Sequence, residues 1–178
     1  MEPIFTLPYT EHIAIEELQK KLTKAKGYSF FIPVSRQQKG VDFLCVKGKK
    51  ALKFQVKSSK AYVNASKQEF SHHLWLNNFV KKYDQGNADW YAIVGLYATI
   101  SAKSTKKLKN PRSWRSIIIC LRERELYRLV DKRSPFIDIA FDVDEKGRIV
   151  KVEGERGFIR RGCNLTKSLL SKRASKIK

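Results

Sequence analysis

Acidic residues are scarce in this chain of 178 residues: 17 Asp and Glu stand against 37 Lys and Arg, so the formal net charge is +20. A protein with such a positive field attracts polyanions, and nucleic acid is the commonest soluble polyanion. A surface that only keeps the protein soluble, or a ribosome-associated protein without catalytic chemistry, gives the same composition. The charge therefore indicates a class of partner but no reaction.

Cysteine and histidine are also rare. Cys45, Cys120 and Cys163 are odd in number and far apart, which argues against a disulfide framework and against a CxxC metal site. Cys45 and Cys120 lie in apolar runs, where cysteine behaves as a small hydrophobic residue. The chain has three histidines, His12, His72 and His73. They cannot complete a zinc site with the scattered cysteines, and we interpret them as ordinary helix residues.

Long apolar runs are missing as well. No segment approaches the roughly 20 residues that span a bilayer, and the first twelve residues lack the basic flank and apolar core of a secretory signal. We therefore expect a cytoplasmic location and no membrane partner. A chain of this length supports one hydrophobic core, so we assign residues 1–178 to a single domain.

Helical and strand patterns alternate along the chain, which is typical of an α/β domain. Apolar residues at helical spacing predict a first helix over residues 8–26, with Gly27 as its stop, and a second helix over residues 67–83. A short helix is predicted over residues 122–132. Strands are predicted over residues 29–34, 40–46, 51–58, 88–98, 116–121, 136–143 and 148–154, the last two as a hairpin.

Two basic segments interrupt or follow this pattern. Residues 101–115 contain six basic residues and no acid, and we predict an exposed excursion there. Residues 156–178 contain eight basic residues and form a basic C-terminal tail. Either segment could be no more than a solvated run of charge.

The strands over residues 40–46 and 51–58 are joined by the sequence KGKK, in which Gly48 and Lys49 suit a type II′ turn. Residues then face each other when their numbers sum to 97. This register places Asp42 opposite Gln55, with their side chains about 5 Å apart, and Lys57 follows on the same face. The other face is wholly apolar and must be core; it contains Val41, Phe43, Cys45, Leu52, Phe54 and Val56.

The polar face of this hairpin allows two interpretations. The first is a simply solvated face, with Asp42 and Lys57 as a diagonal ion pair that contributes well under about 1 kcal/mol. However, the same face also contains Leu44, Val46 and Ala51, so we expect the first helix to cover it. A covered pocket with acid and amide oxygens suits Mg²⁺, which takes oxygen ligands and keeps several waters.

Asp42, twelve intervening residues and the run Gln55-Val56-Lys57 resemble the PD-(D/E)xK nuclease superfamily, and in particular its small restriction-type and intron-encoded homing endonucleases. Two positions differ from the usual motif: Val41 stands in place of Pro, and Gln55 replaces the second acid, so one carboxylate is lost. The resemblance covers about residues 8–100. It implies a restriction-endonuclease-like core, with a central mixed sheet flanked by helices, to which the basic excursion and the basic tail are added.

The resemblance also implies a site. Mg²⁺, for which Mn²⁺ would substitute, would be held by Asp42, Gln55, the Val56 carbonyl and a glutamate of the first helix. Glu11 is our first candidate because it lies in line with the apolar stripe of that helix. Glu17 stays open, because its separation from Asp42 along the sequence is more typical of the superfamily. Lys57 would orient or deprotonate the attacking water, or stabilise charge on the phosphate.

The implied activity is Mg²⁺-dependent, sequence-specific cleavage of double-stranded DNA, in the manner of a homing or restriction endonuclease. A Holliday-junction or repair nuclease, and a catalytically inactive DNA-binding module, are the alternatives. Cutting both strands usually requires two active sites, so we expect a homo-oligomer, a dimer or higher. The residues that we assign to DNA contact come from the excursion and the start of the tail: Lys103, Lys106, Lys107, Lys109, Arg112, Arg115, Arg160 and Arg161.

Overall fold

The structure, a computed structural model, describes residues 6–33, 40–60, 62–65, 70–81, 86–98, 114–128, 136–144 and 146–152. The helices in these ranges are α1 (Thr6–Gln19) and α2 (Glu123–Arg128), with a 3₁₀ turn at Lys24–Lys26. The strands are β1 (Tyr28–Phe31), β2 (Phe43–Lys47), β3 (Lys50–Lys60), β4 (Tyr62–Ala65), β5 (Phe70–Lys81), β6 (Trp90–Ala98), β7 (Trp114–Arg122), β8 (Phe136–Val143) and β9 (Ile149–Val152).

The strands form two sheets. The first has five strands in the order β1-β2-β3-β6-β7, and the second has four in the order β4-β5-β8-β9. In the first sheet β3 and β6 are parallel, whereas the other neighbours are antiparallel. The predicted α/β class with a mixed central sheet is therefore confirmed.

Each face of the five-stranded sheet buries a separate hydrophobic cluster. On one face α1 packs Ala14, Ile15 and Leu18 against the first sheet's strands. On the other face, Tyr91 and Ile93 of β6 and their β7 neighbours pack against β5, β8 and β9. In the part of the chain that the structure describes, this second face is covered by strands together with Leu126 of α2, whereas the resemblance implied a sheet flanked by helices.

The predicted helix over residues 67–83 is wrong, because Phe70–Lys81 is strand β5. Leu74 and Leu76 are buried while Trp75 between them is exposed, which is the period of two of a strand. The register between β5 and β8 shifts between Leu76 and Val80, so the strand is irregular near its end. Parallel β3 and β6 require a crossover connection, and here β4 and β5 supply it.

Two predicted boundaries and one core assignment also change. Helix α1 ends at Gln19, and Thr23 is extended with φ −79° and ψ 155°, so residues up to 26 do not continue it. Strand β7 begins at Trp114, which puts residues 114 and 115 in the sheet and outside the excursion. Leu52 is 39% exposed and does not belong to the core.

The remaining predictions for the second half of the chain hold in the described ranges. The strand predicted over residues 88–98 is β6, the short helix is α2, and the predicted C-terminal hairpin is the antiparallel pair β8 and β9. Among the described residues, no helix has the length and apolarity to cross a membrane.

Asp144 fixes the turn between β8 and β9. Its Oδ1 accepts the backbone N–H groups of Lys146 (2.9 Å) and Arg148 (2.8 Å), and its Oδ2 accepts Arg148 Nε at 2.6 Å. Partial burial alone would raise the pKa of this carboxyl, but the hydrogen bonds and charge of Arg148 and the bond from Lys146 lower its pKa below the usual value. The ionised form of Asp144 therefore stabilises the folded state.

We expect Asp144→Asn to reduce the free energy of unfolding by about 1–2 kcal/mol at pH 7, because charge-assisted hydrogen bonds are replaced by neutral ones. Since the folded-state pKa is lowered, this stabilisation is present above the unfolded-state pKa of about 3.9 and is lost as the pH falls through the folded value. Urea unfolding from acid to neutral pH measures the difference, with Glu16→Gln on the exposed side of α1 as control. A difference that stays constant with pH would contradict the assignment.

Candidate functional site

The β2–β3 hairpin has the register predicted from its turn. Phe43 pairs with Phe54, Cys45 with Leu52 and Lys47 with Lys50, so paired numbers sum to 97. Gly48 has φ 57°, the left-handed conformation that a two-residue hairpin turn requires. The rings of Phe43 and Phe54 stack with centroids 4.7 Å apart, which holds the register at the end of the hairpin next to Asp42.

Asp42 lies one residue before β2, and both its backbone and its side chain bond to β3. Its N–H donates to the Phe54 carbonyl at 2.8 Å, and its Oδ2 accepts the Val56 N–H at 2.5 Å. The N–H and C=O of one strand residue point to the same edge, so the Val56 carbonyl also faces the side where Asp42 lies. A carboxylate oxygen and a backbone carbonyl oxygen therefore share this edge of β3.

Gln55 and Lys57 flank Val56 and share one face of β3, because strand side chains alternate. Both are half-buried. They pair across the parallel ladder with Tyr91 and Ile93, which are fully buried in the core between the sheets. The antiparallel ladder ends at Phe43 and Phe54, one step before the expected Asp42–Gln55 pair, and Asp42 bonds instead to the Val56 backbone.

Helix α1 does not cover this polar face, so that prediction is wrong. The apolar side of α1 packs on the opposite face of the sheet, in one cluster with Phe43, Cys45, Phe54 and Val56. Burial of the apolar stripe of α1 stabilises the fold most when the stripe packs against apolar side chains. The sequence already placed the apolar residues of the hairpin together on the opposite face. The face with Gln55 and Lys57 is turned toward the second sheet, where Ser59 Oγ donates to the Trp75 carbonyl at 2.9 Å.

The three helix glutamates differ in their surroundings. Glu16 is exposed and lies 3.1 Å from His12 Nε2, and Glu17 forms an ion pair with Lys20. Glu11 is half-buried and precedes buried Ile15 by four residues, so it lies on the side of α1 that faces the sheet. Glu17 is also half-buried, and the choice between Glu11 and Glu17 stays a prediction. Glu11 would approach from one face and Gln55 from the other, with the Asp42 carboxylate at the edge between them.

The segment before Asp42 is tightly constrained. Gly40 has φ 83°, and a Cβ at this position would lie 2.6 Å from Asn87 Cβ. Asn87 belongs to the loop that leads into β6, and this loop is fixed to β3 because Asp89 N–H donates to the Lys53 carbonyl (2.9 Å) and Lys53 N–H donates to Asp89 Oδ2 (2.7 Å). Gly40 therefore packs closely against the loop that leads into β6, and a side chain at this position would collide with Asn87.

The oxygen donors at this site suit a hard divalent cation more than a transition metal. No group of three or more His, Cys, Asp or Glu side chains that could hold a metal occurs among the described residues. Of the oxygen donors named from the sequence, the Asp42 carboxylate and the Val56 carbonyl share one edge of β3, Gln55 lies on the face turned toward the second sheet, and Glu11 lies on α1 at the other face. Mg²⁺ takes few protein oxygens and keeps several waters, so this donor set is compatible with it.

The residues assigned to DNA contact are described in one case. Arg115 is exposed on β7, paired with Tyr97, and burial raises the pKa of the Tyr97 hydroxyl although the Arg115 charge and hydrogen bond act to lower it. Arg115 is thus part of the sheet, not of a separate excursion. The other seven residues lie outside the described ranges: Lys103, Lys106, Lys107, Lys109, Arg112, Arg160 and Arg161.

Sequence reasoning missed a second polar pair. His73 lies on β5 and not on a helix, and its Nδ1 is 2.7 Å from Asp142 Oδ1 on β8. Asp142 is only 5% exposed, and buried carboxylates require such a partner. The two residues are 69 positions apart, so only the pairing of two distant strands could have indicated their contact.

No protein-family model, no curated protein and no solved structure matches the chain. The interpretation of the site therefore depends on its residues and their geometry.

We expect Asp42→Ala to destabilise the fold by about 1–3 kcal/mol, because the Val56 N–H loses a charged acceptor. Asp42→Asn, which keeps an acceptor oxygen, should cost less. The direct measurement is hydrogen exchange at the Val56 amide, which should become faster in Asp42→Ala and remain slow in the control Glu16→Ala. Unchanged protection at Val56 would show that this hydrogen bond does not hold the two strands together.

Proposed function

We propose that the protein is a Mg²⁺-dependent, sequence-specific endonuclease of the homing or restriction type that cuts both strands of duplex DNA. The observation that supports this most strongly is the position of the Asp42 carboxylate against the Val56 N–H, with Gln55 and Lys57 on either side along β3. This hydrogen bond holds the carboxylate at the edge of β3, beside the Val56 carbonyl.

Asp42, Gln55 and the Val56 carbonyl are the groups that would hold Mg²⁺, with Glu11 as the helix ligand. When bound, the metal supplies positive charge at the phosphate and makes water more acidic. The hydrogen bond from Val56 fixes the carboxylate before the substrate arrives, which lowers the cost of ordering the site. Gln55 contributes an oxygen without charge, so this set has one negative charge fewer than a set with two strand acids.

Lys57 is the residue that would act on the phosphate. Its ammonium group extends from the same face as Gln55, and its half-buried side chain lies at the margin of the core between the sheets. A positive charge is more effective beside low-dielectric protein than in water. Lys57 would therefore stabilise the negative charge that develops on the phosphate, or orient the attacking water.

The net charge of +20 agrees with a nucleic acid substrate, since each phosphate contact by Lys or Arg adds to affinity. Sequence reading would depend on contacts with base edges, and we assign DNA contacts in general to the basic segments after β6 and after β9. Cutting both strands would use two copies of the site, and so we propose a homo-oligomer. The cytoplasmic location stays a prediction from the sequence.

We expect purified protein with Mg²⁺ to cut a plasmid library at defined sites, which sequencing of the new ends would identify. Lys57→Ala and Asp42→Asn should each slow cutting by at least about 100-fold, with DNA affinity largely retained. Lys53→Ala is the matched control, because Lys53 lies four residues earlier on the same face of β3 and bonds to the Gly86 carbonyl at 3.3 Å.

Other outcomes would decide against this proposal. Preferential cutting of four-way junctions over linear duplex would identify a junction or repair nuclease on the same site. DNA binding without Mg²⁺-stimulated cutting of any duplex or junction would identify an inactive binding module. Equal losses in Lys57→Ala and Lys53→Ala would remove Lys57 from the chemistry.

A further inference from the structure

One end of the five-stranded sheet collects lysines from two separate segments. The 3₁₀ turn Lys24–Lys26 contacts β1, and Tyr28, the first residue of β1, pairs with Lys47 of β2. Lys47 in turn pairs with Lys50 across the hairpin turn. We refer to this group as the lysine end; it consists of Lys21, Lys24, Lys26, Lys47, Lys49 and Lys50.

The lysine end has no acidic residue in the segments that form it, since neither residues 20–28 nor residues 46–53 contain Asp or Glu. Lys21 is half-buried, and the other five lysines are exposed. The nearest acid along the chain, Glu17, forms an ion pair with Lys20. Positive charge is therefore concentrated at this end of the sheet.

This arrangement opposes folding of the free protein. Lys47 and Lys50 are directly opposite each other in the ladder, and like charges in that position are destabilising. The ammonium of Lys47 lies 4.7 Å from the centroid of the Tyr28 ring, which offsets part of the repulsion. A bound polyanion would remove the rest, so the lysine end has the character of a binding surface and not of a stabilising one.

Among polyanions, nucleic acid suits this surface better than a membrane. Membrane-binding surfaces combine lysines with large apolar side chains that insert into the bilayer. The most exposed large apolar residues, Phe31 at 54% and Ile32 at 55%, lie at and beyond the opposite end of β1. At the lysine end the Tyr28 ring is only partly exposed and Lys47 lies over it, and Leu52 is the large apolar side chain of residues 20–28 and 46–53 that is exposed, at 39%. One such side chain offers little area for insertion into a bilayer.

We propose that the lysine end binds the phosphate backbone of duplex DNA on one flank of the candidate site. Strand β2 leads from Asp42 to Lys47 in five steps, which is about 17 Å, or about five base pairs of duplex. This inference deepens the proposed function and rests on it, because it states which side of the hairpin the DNA follows. The sequence does not indicate it, since the lysines come from segments about twenty residues apart.

The test compares two triple variants that remove the same charge. Lys24→Gln/Lys49→Gln/Lys50→Gln changes the lysine end, and Arg124→Gln/Lys146→Gln/Lys151→Gln changes exposed residues elsewhere. Binding to a duplex DNA fragment is measured at several salt concentrations in EDTA, which prevents cutting. Each phosphate that is no longer neutralised should reduce the slope of log affinity against log salt by about 0.9. We therefore expect the first variant to reduce this slope by about 2 to 3, and the second variant to reduce it by less than about 1.

A second measurement separates binding from folding. At low salt the first variant should melt at a higher temperature than the wild type, because repulsion between Lys47 and its neighbours is reduced, although it binds DNA more weakly. A fall in DNA affinity together with a lower melting temperature would indicate damage to the hairpin and would overturn the proposal.

Three further results would overturn it. Equal slope changes in both variants would show that only net charge matters, and an unchanged slope in the first variant would exclude the surface. Weaker binding to phosphatidylserine vesicles, with DNA binding retained, would assign the lysine end to a membrane. Because no cutting is required, the expected slope change in a protein that fails to cleave DNA would support DNA binding by the lysine end, although the nuclease proposal and the position of the DNA beside a catalytic site would fall.

Discussion

The hydrogen bond from the Val56 N–H to the Asp42 carboxylate is the interaction on which the candidate site depends. It forms where the ladder between β2 and β3 stops, and it gives β3 an acceptor that the backbone of β2 no longer supplies. Without it, Asp42 would be one more acid on a polar surface. With it, the carboxylate, the Val56 carbonyl and the flanking Gln55 and Lys57 occupy one short length of strand.

The two-sheet architecture determines what surrounds this hydrogen bond. Strand β3 lies in the middle of the first sheet, and only residue 61 separates it from β4 of the second sheet. Helix α1 covers the apolar face of the hairpin, and strand β5 approaches the polar face at Ser59. The candidate site at Val56 therefore lies beside the start of β2, and the lysine end lies at the other end of the same hairpin.

The sequence predicted what local rules determine. The Gly48 turn sets the hairpin register, and strand alternation then separates the core residues Phe43 and Phe54 from Gln55 and Lys57. What it could not predict depends on contacts between distant segments. The side on which α1 packs, the strand character of residues 70–81 with their shifted register against β8, and the pair His73 and Asp142 are all decided by partners far along the chain.

The most direct test of the central claim is a Mn²⁺ titration of isotopically labelled protein followed by NMR, since it requires no substrate and no cutting. Mn²⁺ would substitute for Mg²⁺ and broaden the signals of nearby groups. At low Mn²⁺ the account predicts that the Val56 amide and the Gln55 side-chain amide broaden first in the wild type, and that Asp42→Asn abolishes this. Broadening that begins at another carboxylate, such as Asp144, and persists in Asp42→Asn would contradict it.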